Sequence, residues 1–147
     1  MKHERAMLRS VLDLADVEVG EVMTHRKNIV MIDAELAPSD VLAFVSESPY
    51  TRIPLWQEKT DNIVGVLHAK ALLRALQSAK GDIDQVELVE ACSAPWFVPE
   101  TTKLLDQLNA FRERREHFAI VVDEYGDVQG IVTLDWVILD NALFEID

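Results

Sequence analysis

Apolar and polar positions along the chain form one pattern that occurs twice. In the clearer instance, Phe118 to Val122 is an unbroken apolar run. Asp123 to Asp127 is a turn containing Gly126, and Val128 to Val132 is a second run rich in Val and Ile. Two such runs joined by a Gly-containing turn predict a hairpin of buried strands. Thr133 follows with the chemistry of a helix N-cap, because its hydroxyl can accept from a free amide of the first turn. An amphipathic helix is then expected from Leu134 to Leu143.

The earlier copy runs from Arg52 to Leu76. A shift of 65 residues takes Gly65 to Gly130, Ile53-Pro54-Leu55 to Phe118-Ala119-Ile120, Val66-Leu67 to Ile131-Val132, and His68 to Thr133. Upstream of each hairpin is a helical stripe, Val41, Leu42 and Val45 in one copy and Leu104, Leu105, Leu108 and Phe111 in the other. The stripes align with a shift of 64, taking Val41 to Leu105. The spacing predicts a strand over Ile29 to Ile32 and a helix from Pro38 to Ser48, stopped by Pro49. Further strands are expected over Arg52 to Trp56 and Ile63 to Leu67, around a turn at Glu58 to Asn62. In the second copy, Trp96 to Val98 is the first strand, Thr102 an N-cap and Lys103 to Arg114 a helix. Val86 to Cys92 introduces the second copy as Val17 to Met23 introduces the first. Met7, Leu8, Val11, Leu12 and Ala15 give a lead-in helix over residues 2 to 15.

The organisation is therefore a lead-in helix over residues 1–16 and two repeats, 17–80 and 81–147. The fold class is α/β (α+β): two small sheets packed with helices, related by a pseudo-twofold axis. Neither repeat buries a sufficient core alone, so the two should pack as one body.

At this point the residues resemble a known family. The duplicated order strand–helix–strand–strand–helix is similar to a tandem pair of CBS domains, a Bateman module. Within that superfamily, Leu12-Asp-Leu-Ala-Asp16 and Val19-Gly-Glu-Val-Met-Thr-His-Arg26 resemble the CorC-type, haemolysin-C-related proteins linked to magnesium and cobalt efflux. Tyr50-Thr-Arg-Ile-Pro54, Gly65-Val-Leu-His-Ala-Lys70 and Phe118-Ala-Ile-Val-Val-Asp-Glu-Tyr-Gly126 carry the same resemblance. It implies a regulatory module that senses an adenosine nucleotide, ATP or AMP, with Mg²⁺ as an accompanying ion. It also implies a homodimer, and an upstream membrane domain that would tether the module to the cytoplasmic side of the inner membrane.

The resemblance places nucleotide binding at Tyr50, Thr51, Arg52, Ile53 and Pro54, where a base meets backbone and Arg52 meets phosphate, and at Thr133, Asp135 and Trp136. The family pattern sets a Ser or Thr at the start of the last helix and an Asp three residues later. One turn of helix then presents hydroxyl and carboxylate together to a ribose, with free amides favouring phosphate. This chain departs from that pattern. Trp136 stands at the Asp position of the second copy, while His68 and Ala71 replace hydroxyl and carboxylate in the first. Asp135 points about 100° round the helix from 136. A hydrogen bond to a charged group is worth about 1.5–3 kcal/mol, so its loss weakens binding roughly 10- to 100-fold. The alternative function is a structural dimerisation module with a degenerate site. Thr133 then acts as a cap, Trp136 as a packed ring and Arg52 as a partner in an ion pair.

Composition narrows the rest. Apolar residues make up 49% of the 147, which disfavours disorder. The longest apolar run is far short of the roughly 20 residues needed to span a bilayer. Residues 1 to 14 lack a signal-peptide core. A net charge of −12 argues against a nucleic-acid partner, since neutralising phosphates takes many Lys and Arg. Ordinary solubility explains that charge, with an acidic surface responsive to Mg²⁺ as the sharper alternative. Cys92 is the single cysteine, so no internal disulfide forms. His3, His25, His68 and His117 are scattered without metal-ligand spacing, and no nucleophile–base arrangement is visible. Neither a catalytic residue nor a metal ligand is assigned, and the chain is not expected to be an enzyme.

Overall fold

The computed structural model describes residues 16–134. The lead-in helix, the helix after Leu134, Asp135 and Trp136 all lie outside them. The chain divides into two compact units, one of Val30–Pro95 and the other of Met1–Ile29 with Trp96–Asp147. The spatial division cuts across the repeats, because each repeat sends its introductory segment into the other repeat's unit.

Along the described residues the elements are α1 (Val19–Val22), β1 (Thr24–His25), β2 (Ile32–Asp33), α2 (Pro38–Glu47), β3 (Arg52–Gln57), β4 (Lys59–His68) and α3 (Ala69–Ser78). They continue with β5 (Cys92–Ser93), β6 (Phe97–Pro99), α4 (Leu104–Arg114), β7 (Phe118–Val122) and β8 (Val128–Thr133). Both units are mixed α/β, each with one four-stranded sheet. In the Val30–Pro95 unit the order is β2-β3-β4-β5. β2 runs parallel to β3, and the β3–β4 and β4–β5 pairs are antiparallel. In the other unit the order is β6-β7-β8-β1, with the same parallel and antiparallel pairs.

Strand alternation sends one side of each sheet to the helices. In the Val30–Pro95 unit, Ile32, Ile53, Leu55 and Leu67 pack with Val41 and Val45 of α2 and Leu72 of α3. In the other, Val98, Ala119, Val121 and Val132 pack with Leu104, Leu108 and Phe111 of α4 and with Val19 of α1. Helix α2 starts on Pro38 at its first position and carries Asp40 in the first turn, as capping chemistry favours. Helix α3 gives way to Lys80 at φ 56° and Gly81 at φ 85°, with the Gly81 amide donating back to Leu76.

The ladder pairs correct the repeat alignment. Arg52 faces His68 and Ile53 faces Leu67, whereas Phe118 faces Thr133 and Ala119 faces Val132. Arg52 is thus equivalent to Phe118, a shift of 66 for the first hairpin strand, while 65 holds for the second strand. Moving a strand by one residue exchanges its two faces, so only the shift of 66 puts Ile53 and Ala119 on the same core side. Helix burial agrees. The buried pair Val41 and Val45 matches the buried Gln107 and Phe111, again at 66 rather than 64.

Other boundaries moved for local reasons. β2 is two residues long, Ile32–Asp33, and the chain before it forms a 3₁₀ turn over Arg26–Asn28 in which His25 Nδ1 accepts from the Lys27 amide. The expected turn at Glu58 to Asn62 contracts to Glu58, at φ 68°, and β4 begins at Lys59. Register shifts on either side of Trp56 and an Asn62 bond to the Gln57 carbonyl at 2.9 Å absorb the polar residues into the ladder. The turn at Asp123 to Asp127 is as expected, with Asp123 Oδ1 accepting from the amides of Tyr125 and Asp127.

Helix α4 starts at Leu104 with no side-chain cap. Thr102 accepts from the Val19 amide through its carbonyl at 2.8 Å, and the Leu104 amide donates to Val17 at 2.8 Å. Backbone from the first repeat therefore satisfies what a Thr102 hydroxyl was expected to satisfy.

Gln107 is 1% exposed, and its Nε2 has no hydrogen-bond partner among the described residues. A buried unsatisfied donor costs about 1–3 kcal/mol. Gln107→Met keeps the length and removes the donor, so thermal or urea unfolding should show a gain of about 1–2 kcal/mol. A loss of stability would show that the amide carries a bond.

Candidate functional site

In the Val30–Pro95 unit, polar side chains gather where β3 begins and β4 ends. Tyr50, 50% exposed, and the exposed Thr51 lead into β3. The Thr51 carbonyl accepts from the Ala69 amide at 2.9 Å, which ties this approach to the start of α3. Arg52, partly buried, stands directly opposite His68. Direct cross-strand neighbours project from the same face of a sheet, so guanidinium and imidazole lie side by side. Ser93 on β5 pairs with Val66, two residues before His68, and so occupies the diagonal position. His68 Nε2 and Ser93 Oγ are hydrogen-bonded at 2.9 Å. Pro54 and Val66 continue this face away from the helices, and both are buried. Ile53, 1% exposed, points to the helix side and offers a ligand only its backbone.

Burial, and after it the Arg52 charge, hold the His68 pKa below the ordinary histidine value. The ring is therefore neutral at neutral pH. Arg52 forms no ion pair with a carboxylate among the described residues. Cys92, one residue before Ser93, turns to the core side. Burial pushes its thiol pKa up, and Sγ donates to the Leu88 carbonyl at 3.3 Å. A thiol kept protonated in this way is a poor nucleophile.

The second unit has the same framework with different chemistry. Phe118 stands opposite Thr133, the Leu134 amide donates to the His117 carbonyl at 2.9 Å, and Thr24 takes the place of Ser93 through its pairing with Ile131. Where one unit carries guanidinium and imidazole, the other carries a ring and a hydroxyl. Thus Tyr50 to Pro54 gather in one unit with His68, and Thr133 belongs to the other. Ser93 escaped the sequence reading because it is 25 residues from His68. Only the pairing of a two-residue strand brings it there. Among the described residues, no cluster of three or more His, Cys, Asp or Glu side chains is arranged to hold a metal ion.

This framework matches known proteins. The family model for the CBS domain matches residues 19–78 and again 88–135. The chain belongs to the CBS-domain family. The CBS pair is 35% identical over 146 residues to the magnesium and cobalt efflux protein CorC of Pasteurella multocida, covering 99% of this chain and 47% of that protein. It therefore spans about half the length of this curated relative. Among solved structures, the CBS domain of a bacterial CNNM/CorC family Mg²⁺ transporter in complex with ATP superposes with a TM-score of 0.84 at 38% identity, covering 95% of this chain and 97% of that one. A CBS-domain pair with bound AMP from Klebsiella pneumoniae gives a TM-score of 0.74 at 32% identity, with 88% and 98% covered. These relatives are described as an efflux protein and as transporter or CBS domains, not as enzymes. No helix among the described residues of the CBS pair is long and apolar enough to cross a membrane.

Proposed function

We propose that this CBS pair is the adenosine-nucleotide sensor of a membrane-associated magnesium and cobalt efflux-type protein, binding ATP or AMP, with Mg²⁺ accompanying the phosphates. The observation that supports it best is the likeness over nearly the full chain to a CNNM/CorC CBS domain in complex with ATP. The Arg52–His68 face adds local support, since an Arg without a carboxylate partner among the described residues, in a chain of net charge −12, suits a phosphate. Tyr50, Thr51, Arg52, Ile53 through its backbone, Pro54, Thr133, Asp135 and Trp136 are the residues proposed to contact the nucleotide. The module works as a homodimer on the cytoplasmic side of the inner membrane, following an upstream membrane domain of the whole protein.

Isothermal titration with ATP and AMP, with and without Mg²⁺, tests this reading. Saturable heat at one nucleotide per chain is expected, with ATP affinity rising when Mg²⁺ is present. Absence of heat at millimolar nucleotide in all four titrations overturns it. A second reading then stands, a structural dimerisation module. Ala71 and Trp136 at the ribose-carboxylate positions favour it, and so do Phe44 and Leu73, which are 41% and 50% exposed on α2 and α3.

A further inference from the structure

The Arg52–His68–Ser93 face holds two features that bear on each other. A guanidinium without a carboxylate partner among the described residues lies beside an imidazole whose second contact is a hydroxyl. An oxyanion seated on Arg52 would meet that imidazole at once. We propose that His68 makes oxyanion binding at this face proton-coupled: a phosphoryl or sulfate group bound by Arg52 draws a proton onto His68, and ligand affinity therefore rises as pH falls. This deepens the nucleotide reading and rests on it for the identity of the natural ligand, a nucleotide phosphoryl group.

The physical argument is a balance of charge. In the free protein the imidazolium is opposed by burial and by the neighbouring guanidinium. A doubly negative tetrahedral anion reverses the second effect, because it neutralises Arg52 and attracts the imidazolium directly. Arg52 is the charged group that faces His68 from β3. From β5 the facing group is the Ser93 hydroxyl, and the Cys92 thiol on the same strand turns to the other side. Lys59 and Asp61 of His68's own strand are separated from it along β4, and α3 packs on the opposite face. Among the described residues no carboxylate perturbs the ring, so none of them already supplies the compensation that an anion would bring.

Ser93 suits both protonation states. Its hydroxyl can donate to a neutral Nε2, or accept from a protonated one after a simple rotation of the O–H. Protonation therefore requires no rearrangement of the strand pair. In the other unit, Phe118 and Thr133 at the equivalent positions cannot titrate in this range. The coupling belongs to one of the two repeats only.

The sign follows from linkage. His68 starts with a depressed pKa, and anion binding raises it. Protons are therefore taken up on binding between the two midpoints, and affinity falls as pH rises through that window. A rise of about half a unit to one unit corresponds to roughly a threefold to tenfold change in affinity.

The test is an NMR pH titration of the His68 imidazole in the whole chain. It is run in sulfate and in chloride at equal ionic strength, since sulfate keeps its charge throughout. The midpoint in chloride should lie below the ordinary histidine value and move up in sulfate. Arg52→Gln should raise the chloride midpoint and remove at least half of the sulfate-induced rise. Added AMP distinguishes the sources. A midpoint that rises at lower AMP than sulfate concentration identifies a nucleotide phosphoryl group, and equal effectiveness identifies a free oxyanion. Adenosine, without a phosphate, should move nothing. An unchanged His68 midpoint in sulfate and in AMP overturns the coupling, even where calorimetry shows that ATP binds. A sulfate shift without any nucleotide heat leaves the coupling standing and removes the sensor reading instead.

Discussion

Phe111→Ala is expected to destabilise the protein by about 3–5 kcal/mol, the cost of truncating a large ring in a packed core. Phe111 is 1% exposed and occupies the centre of the unit that contains α4, among Leu104, Leu108, Ala119, Val121 and Val132. Trp96 meets it edge to face, with ring centroids 5.4 Å apart and planes at 90°, a geometry worth about 0.5–1.5 kcal/mol beyond burial. For a chain of this length each kcal/mol moves the melting temperature by roughly 2–4 °C, so calorimetry should record a fall of roughly 6–20 °C. Phe111→Leu, which retains much of the volume, should lose less than half as much. A loss below about 1 kcal/mol for the alanine variant would show that the helix does not pack on this sheet as described.

The second large effect separates two glycines that the repeat treats as equivalent. Alanine at 130 would drive its Cβ into the Thr24 carbonyl oxygen and to 2.8 Å from Met23 Sδ, because the backbone of β1 passes directly over this position. Overpacking against backbone costs typically 1–3 kcal/mol and occasionally more. Gly130→Ala should therefore lower the melting temperature by several degrees and weaken protection of the β1 and β8 amides from hydrogen exchange. Gly65→Ala should be neutral or slightly stabilising. A Cβ there meets Cys92 Cβ at 3.5 Å and the Ser93 carbonyl oxygen at 3.6 Å, which is ordinary contact, and alanine lowers the entropy of the unfolded chain. Equal losses at both positions would contradict the close approach of β1 to Gly130.

That contrast shows where local pattern stops being informative. Gly65 and Gly130 are interchangeable markers of a repeat in the sequence, and both do lie on the second strand of a hairpin. What distinguishes them is the distance of a crossing strand contributed from the other repeat. The same limit explains the alignment error. The hairpin in the second copy has one residue fewer than that of the first between matched strand positions. A string comparison anchored on glycine carries that difference into the wrong strand, whereas hydrogen-bonded register does not.

The candidate site was legible in part for the same reason. Arg52 and His68 could each be singled out by motif. Their adjacency follows from β3–β4 pairing, a short-range relation within one hairpin. Ser93 could not be found this way, nor could the capping of α4 by Val17 and Thr102 with Val19, because those relations join segments that no local rule connects.

From the sequence alone followed the duplicated hairpins, the helices with Val41 and Val45 or Leu108 and Phe111 inward, the turn at Asp123 to Asp127 and the resemblance to CBS pairs. Each of these depends on periodicity or turn chemistry within a few residues, where side-chain direction follows backbone period. The tertiary structure alone decided that β5 completes the first repeat's sheet, that β1 completes the second's, and that Arg52, His68 and Ser93 share one face. A strand of two residues has no periodicity to read. Its partner is selected by the unpaired edge it satisfies and by the core it covers, and both exist only once the chain has folded.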